Sequence, residues 1–65
     1  MNRQKEFIAN LKKAWRDEMK SARNYRALAE RETNPERKKI LERLAESEER
    51  HARQWSQQLE QYGVS

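Results

Sequence analysis

A seven-residue repeat of apolar positions on both sides of a single Asn-Pro turn most constrains what this chain can form. Before the turn, one helical seam carries Phe7, Leu11, Ala14, Glu18, Ser21, Tyr25 and Leu28. After the turn, a second seam carries Leu41, Leu44, Glu48, His51, Trp55 and Tyr62. Further apolar residues widen the two seams: Ile8, Trp15, Ala22, Ala29, Ala45, Ala52 and Leu59. Stripes of this width are typical of bundle helices, so the pattern predicts an all-α fold.

The helix ends can also be read from the sequence. Asn34 can cap a helix, Pro35 suits a first helical turn, and Gly63 is typical of a helix stop. These signals predict helix 1 over about 3–32, a turn at 33–34 and helix 2 over about 35–61. Because the turn is short, we expect an antiparallel hairpin that forms a single domain over residues 1–65.

The length of the chain predicts a partner. It has 65 residues and no cysteine, and a chain below about 70–80 residues rarely builds a sufficient core without a staple. A disulfide is excluded, which leaves a metal, oligomerisation or both. Two helices cover only part of such wide stripes, so we expect a homodimer with four helices or a larger dimer-based ring.

Charge and hydropathy exclude some classes of partner. Fifteen basic and eleven acidic residues give a net charge of +4, and the two signs are interleaved as on a solvated helix surface. A nucleic-acid binder more often has a one-sided basic stripe, so we expect no nucleic-acid partner. No stretch approaches the roughly 20 apolar residues of a membrane span. We therefore expect no membrane insertion by this segment. The absence of cysteine fits a reducing compartment, so we expect a cytoplasmic location.

Glu18, Glu48 and His51 interrupt the apolar seams. Burying an unpaired carboxylate costs several kcal/mol, so a buried acid needs a partner such as a divalent cation. Glu48 and His51 form Glu-x-x-His, which places both on one helical face. Asn34 is 16 residues after Glu18 and 14 before Glu48, so the two acids should lie nearly level. Glu49 is offset from this face, which predicts a solvated side chain.

The ligand set predicts a shared metal centre. Two hairpins would supply four carboxylates and two imidazoles, the ligands of di-iron carboxylate bundles. Oxygen and nitrogen ligands together suit iron, manganese or zinc. Other interpretations stay open: a helical dimerisation or adapter module in which Glu18 sets register, or a structural metal, such as zinc, that bridges a dimer without turnover.

From Trp15 to Gly63 the sequence resembles the ferritin-like superfamily, in its rubrerythrin-type branch. The matching residues are Glu18, Ser21-Ala22, Tyr25 to Ala29, Asn34 to Arg37, Leu44 to Glu46, Glu48 to Ala52, Trp55 and Leu59. The pattern is similar to ferritin-like domains fused to transporters of the vacuolar-iron-transporter type. It is also similar to encapsulated ferritins, which share the thirty-residue spacing from the first Glu to Glu-x-x-His. Unlike a full rubrerythrin, the chain has two helices and no cysteine module.

The resemblance implies a half-ferritin whose hairpins pair into a ferritin-like four-helix bundle, with the site completed in the dimer. Glu18, Glu48 and His51 would hold two iron ions per dimer, with manganese or zinc as substitutes, and would catalyse oxidation of Fe(II) to Fe(III) by oxygen or peroxide. Glu48 would bridge the irons. Tyr25 would be a hydrogen-bond or electron donor beside the ligands, or a packing residue, and Ser21 would bond a ligand or leave room for one.

Three cellular roles follow from the same resemblance: iron storage, detoxification, or hand-over to a transporter. The implied partners are an iron-transporter domain or a protein shell. The chain would then be tethered to a membrane through another domain or housed in a protein nanocompartment. Trp15 and Trp55 are expected to be core aromatics.

Overall fold

The chain folds into two long antiparallel helices, α1 (Arg3–Arg31) and α2 (Pro35–Gln61). The computed structural model describes residues 2–64, so the two terminal residues of the predicted 1–65 domain lie outside it. Within residues 2–64 there is no strand, and the predicted all-α hairpin is confirmed. The Cα positions span 50 × 17 × 14 Å. Neither of the two helices combines the length and apolar character that a membrane crossing requires.

The turn between the helices is built as the sequence predicts, with one difference at the end of α1. The Asn34 side chain accepts the backbone N–H groups of Glu36 and Arg37, both at 3.0 Å. Helix α1 ends at Arg31, because Glu32 takes extended backbone angles. The Glu32 carboxylate then accepts the Asn34 N–H at 3.0 Å and lies 3.3 Å from Arg37 Nε. The hydrogen bond from Asn34 lowers the pKa of Glu32.

The C-terminal end of α2 is closed at Gly63. This glycine has φ +77°, a left-handed angle that an L side chain rarely adopts. Its N–H bonds to Glu60 C=O at 2.9 Å, and the N–H of Val64 bonds to Leu59 C=O at 3.0 Å. This pair of bonds is a Schellman motif, which confirms the predicted stop.

Small side chains form the contact between the two helices. The buried residues are Leu11, Ala22, Ala29, Ala45, Ala52 and Leu59. Leu11 belongs to a seam of the sequence pattern, and the other five are residues that widen the seams. Alanine lets two helix backbones approach closely, so the alanine rows lie between the helices. The larger seam residues, including Phe7, Leu28 and Leu44, are pushed to one side and stay exposed.

The hairpin therefore has two different sides. The site face carries Glu18, Glu48 and His51 and, at helical spacings from them, the exposed apolar residues Phe7, Leu28, Ile40, Leu44 and Tyr62. The reverse face, on the other side of the alanine rows, carries Trp15 and the ion pair between Arg26 and Glu49.

Candidate metal centre

The three metal-ligand candidates lie at the middle of both helices. Helix α1 supplies Glu18, and α2 supplies Glu48 and His51, which are separated by one helical turn and so point to the same side. The hairpin turn brings the two segments level, as counting outward from Asn34 predicted. The structure thus brings together all three residues that interrupt the apolar seams.

Their donor atoms are close enough to share one cation. One ligand atom from each of Glu18, Glu48 and His51 lies within 4.8 Å of the others. His51 Nδ1 is 3.5 Å from Glu18 Oε2 and 3.4 Å from Glu48 Oε1. A metal about 2.1 Å from each of its tetrahedral ligands separates those ligands by roughly 3.4 Å. The side chains present here therefore fit a first-row divalent metal.

One carboxylate oxygen has no hydrogen-bond partner within the described part of a single chain. Glu18 Oε2 is buried, yet it has no hydrogen-bond donor among residues 2–64. Buried polar atoms are nearly always paired, because an unpaired one loses its hydration without compensation. A cation held by Glu18, Glu48 and His51 would satisfy this atom, whereas the protein contacts of one hairpin do not.

The site is open on one side. The side chains of Glu18 and Glu48 are each 24% exposed, whereas that of His51 is 48% exposed. The reason is the position of the alanine rows, which put the site at the edge of the interhelical contact rather than at its centre.

Ser21 and Tyr25, predicted to act beside the ligands, are both half-buried on α1 near Glu18. Neither hydroxyl donates to Glu18 Oε2, since that oxygen has no hydrogen-bond partner in the described chain. Their proposed contacts with the ligands stay predictions, and so does the assignment of the three ligands themselves.

Sequence reasoning missed an ion pair on the reverse face. Arg26 donates to both oxygens of Glu49, through Nη2 at 2.8 Å and Nε at 3.3 Å. Glu49 is offset from the ligand face and stays partly exposed, as predicted, and the Arg26 hydrogen bond lowers the pKa of Glu49. Counting along the helices does not pair these residues. They meet because side chains tilt toward the N-terminus of their own helix, which in antiparallel helices brings offset positions together.

The two tryptophans divide between the faces. Trp15 is 39% exposed on the reverse face, so in the single chain it is not the core aromatic that the sequence predicted. Trp55 is half-buried, and its position one helical turn after His51 puts it on the site face. Its Nε1 is buried without an acceptor among the described residues.

Comparison with known proteins identifies the family. A family model described as Rubrerythrin matches residues 9–65, which is 57 of the 65 residues. The comparison finds no significant match among curated proteins and none among solved structures. The family match covers the turn, all three ligand candidates and both helical seams from residue 9 onward. The chain therefore belongs to the rubrerythrin family of ferritin-like, iron-binding helical proteins.

Proposed function

We propose that two copies of this chain form a di-iron ferroxidase, with Glu18, Glu48 and His51 of each copy as the ligands. The observation that carries the proposal is the buried oxygen Glu18 Oε2, which has no hydrogen-bond donor. An imidazole and a second carboxylate lie next to it. Membership of the rubrerythrin family supports iron as the metal. Manganese and zinc remain substitutes that the same oxygen and nitrogen ligands would accept.

A second copy would complete the site. One chain offers two carboxylates and one imidazole, one ligand atom each, which leaves half of the positions of a six-coordinate metal open. Two copies offer four carboxylates and two imidazoles, the set that di-iron bundles use. The exposure of His51 and of the apolar side chains around it supports pairing through the site face.

Fe(II) would be the substrate, and each ion gives up one electron on becoming Fe(III). Two Fe(II) with one hydrogen peroxide and two protons yield two Fe(III) and two waters. With oxygen and two protons they yield two Fe(III) and one hydrogen peroxide. The four carboxylates would offset the charge of two cations, and a neutral His51 would bind through a ring nitrogen. Glu48 would help to hold both ions, with Tyr25 and Ser21 beside the ligands.

The ferric product would have to leave the bundle, since a pair of two-helix chains encloses no mineral cavity. Storage would then need a protein shell, and detoxification or hand-over would need an acceptor such as an iron-transporter domain. A cytoplasmic location, a membrane tether through another domain and a nanocompartment are the settings that suit these partners.

Iron uptake by the intact chain tests the proposal. Metal-free protein is titrated with Fe(II) without oxygen and followed by native mass spectrometry. We expect a dimer or dimer-based ring that binds two irons per pair of chains, and a ferric absorption band once oxygen or peroxide is added. An assembly that takes up no iron would contradict the proposal and favour the helical adapter.

Replacing His51→Leu separates the three interpretations, with Gln54→Leu as the control at an exposed position of the same helix. A ferroxidase loses iron binding and turnover in H51L and keeps both in Q54L. An adapter dimerises as well or better in H51L, because an exposed polar residue becomes apolar. A structural zinc bridge loses metal-dependent pairing in H51L, and the unsubstituted protein oxidises no Fe(II).

A further inference from the structure

A pocket lies on the reverse face, near the end of the hairpin where the first residues of α1 meet the last residues of α2. Its volume is about 260 Å³, and the residues that line it are Lys12, Trp15, Arg16, Ser56, Leu59 and Val64. Both helices and the segment that closes α2 therefore contribute to one concave surface. None of the three metal-ligand candidates lines this pocket, so it is separate from the candidate metal centre.

Trp15 gives the pocket an aromatic surface. Of the large apolar side chains that are exposed within residues 2–64, Trp15 is the one that lies off the site face, and it is 39% exposed. Leu59, which also lines the pocket, is buried. An exposed indole ring offers a flat surface on which a second aromatic ring can stack. Pairing of two copies through the site face would leave this ring uncovered.

Two cations lie on the α1 side of the pocket. Lys12 and Arg16 are exposed and four residues apart, so their charges are neighbours on the helix surface. Neither forms an ion pair among residues 2–64, whereas the adjacent Lys13 is paired with Asp17 at 2.9 Å. No carboxylate of the described chain lines the pocket. Like charges at this spacing repel each other, and a bound anion would offset that repulsion.

The volume of the pocket limits the size of its occupant. Sites for drug-sized ligands measure roughly 300–1,000 Å³, and a cavity of roughly 150 Å³ holds benzene. At about 260 Å³ the pocket lies between these two sizes. It therefore has room for one aromatic ring with a short acidic side group.

A long polyanion such as nucleic acid fits the reverse face less well. Helix α1 carries nine basic and four acidic residues, whereas α2 carries six of each. Toward the turn, the hydrogen bond from Arg26 to Glu49 and the charges of Glu46 and Glu42 raise the pKa of Arg26, so three carboxylates lie near this part of the face. They would repel the phosphates of a strand that continued past the pocket. The charge of this face therefore favours a short anion.

We propose that the pocket binds a small aromatic carboxylate, with its ring against Trp15 and its carboxylate between Lys12 and Arg16. A guanidinium and an ammonium group form strong, charge-assisted hydrogen bonds to a carboxylate. The Ser56 hydroxyl is the remaining polar side chain of the lining and can donate a further hydrogen bond to the ligand. This site does not rest on the proposed function, because no metal ligand takes part in it.

An NMR titration of the intact, metal-free chain with phenylacetate tests the proposal. The chain has two tryptophans, so each indole N–H gives its own signal, and Trp15→Leu identifies that of Trp15. We expect the Trp15 signal to move in a saturable way with a Kd of about 1 mM or below, while the signal of Trp55 on the site face moves little. No saturable movement of the Trp15 signal up to about 10 mM overturns the proposal.

Three further compounds separate the contributions of ring, charge and chain. Phenylacetamide keeps the ring without the charge, and acetate keeps the charge without the ring. Each should bind at least about tenfold more weakly than phenylacetate, and equal binding by either one overturns the proposal. The third compound, acetyl-Asp-Phe-Asp-amide, presents the same ring between acidic residues of a peptide. Tighter binding of this peptide than of phenylacetate overturns the small-molecule ligand and assigns the pocket to a protein segment.

Arg16→Gln and Lys20→Gln are matched variants. Each removes one positive charge from an exposed residue of α1, but only Arg16 lines the pocket. The Kd of phenylacetate should rise about tenfold in R16Q and less than about twofold in K20Q. Equal weakening would show that the net charge of α1 attracts the anion, which overturns the proposed site. Binding should persist in H51L, so a failure of the ferroxidase proposal is distinguishable from a failure of this one.

Discussion

The two faces of the hairpin differ in how far a single chain pairs their polar groups and covers their apolar side chains. On the reverse face, Arg26 and Glu49 satisfy each other across the two helices through two hydrogen bonds. On the site face, Glu18 Oε2 has no donor among residues 2–64, His51 is half exposed, and large apolar side chains meet solvent. Both faces flank the same alanine rows, so both lie at the edge of the contact between the helices.

The site face is the surface that a single chain leaves incomplete. An exposed salt bridge contributes little to the stability of the fold. Its charged groups are nevertheless hydrated or paired without a metal or a second chain. A part-buried carboxylate beside exposed apolar residues is stable only when something else covers it. The site face is therefore the surface where we propose that metal and a second copy bind. Substitutions on one face should leave the properties of the other face unaltered.

The largest effect is expected from a charge on the site face. Leu28→Asp removes an apolar side chain from each copy of the proposed interface and replaces it with a carboxylate. Each Leu contributes about 1–1.5 kcal/mol of burial, and two are lost per dimer, so the dimer Kd should rise on the order of 100-fold. Sedimentation equilibrium measures this change.

Ala27→Asp is the matched control for that experiment. It places the same charge at the adjacent, exposed position of the same helix. Its dimer Kd should change by less than about threefold. Equal weakening by the two substitutions would show that net charge, rather than the site face, controls assembly.

An intermediate effect is expected at Tyr25. Tyr25→Phe removes only the hydroxyl, so the fold should be unchanged, and the iron Kd should rise about tenfold if that hydroxyl supports a ligand. Isothermal titration without oxygen measures this affinity. Tyr62→Phe removes a hydroxyl from the same face far from the ligands and should leave iron binding unchanged. Identical affinities in Y25F and the unsubstituted protein would assign Tyr25 to packing.

The smallest effect is expected on the reverse face, and it depends on pH. Arg26 holds the pKa of Glu49 below its ordinary value of 4.5. The pair therefore stabilises the fold above that pH, and its contribution is lost as pH falls through the lowered pKa. Arg26→Met should lower Tm by at most a few degrees at pH 7 and not at all at a pH below the folded pKa of Glu49.

Thermal unfolding at the two pH values, at one protein concentration, checks this result. Asp17 and Glu32 also have lowered pKa values, but they are present in both proteins and cancel in the difference. Iron affinity should stay within about twofold, because the substitution lies on the face away from the ligands. A pH-independent loss of stability would mean that the Arg26 methylenes, rather than its charge, matter.

Some parts of the fold and the site could be predicted because local chemistry decides them. Asn34, Pro35 and Gly63 act on backbone groups only a few residues away, so their roles were visible in the sequence. The convergence of Glu18, Glu48 and His51 followed from counting residues outward from the turn. The ion pair between Arg26 and Glu49 was not predicted, because the two residues lie on different helices at offset levels.

The sequence by itself determined the two helices, the turn between them and the level at which three metal-type side chains meet. Helical periodicity and capping depend on neighbours in the chain, so these features needed no tertiary information. Only the tertiary structure decided which rows of side chains lie between the two helices. Small residues permit the closest approach, so the alanines were buried and the ligand residues moved to the edge. That choice left the site open on one face, because packing depends on side-chain volume across two helices and not on spacing within one.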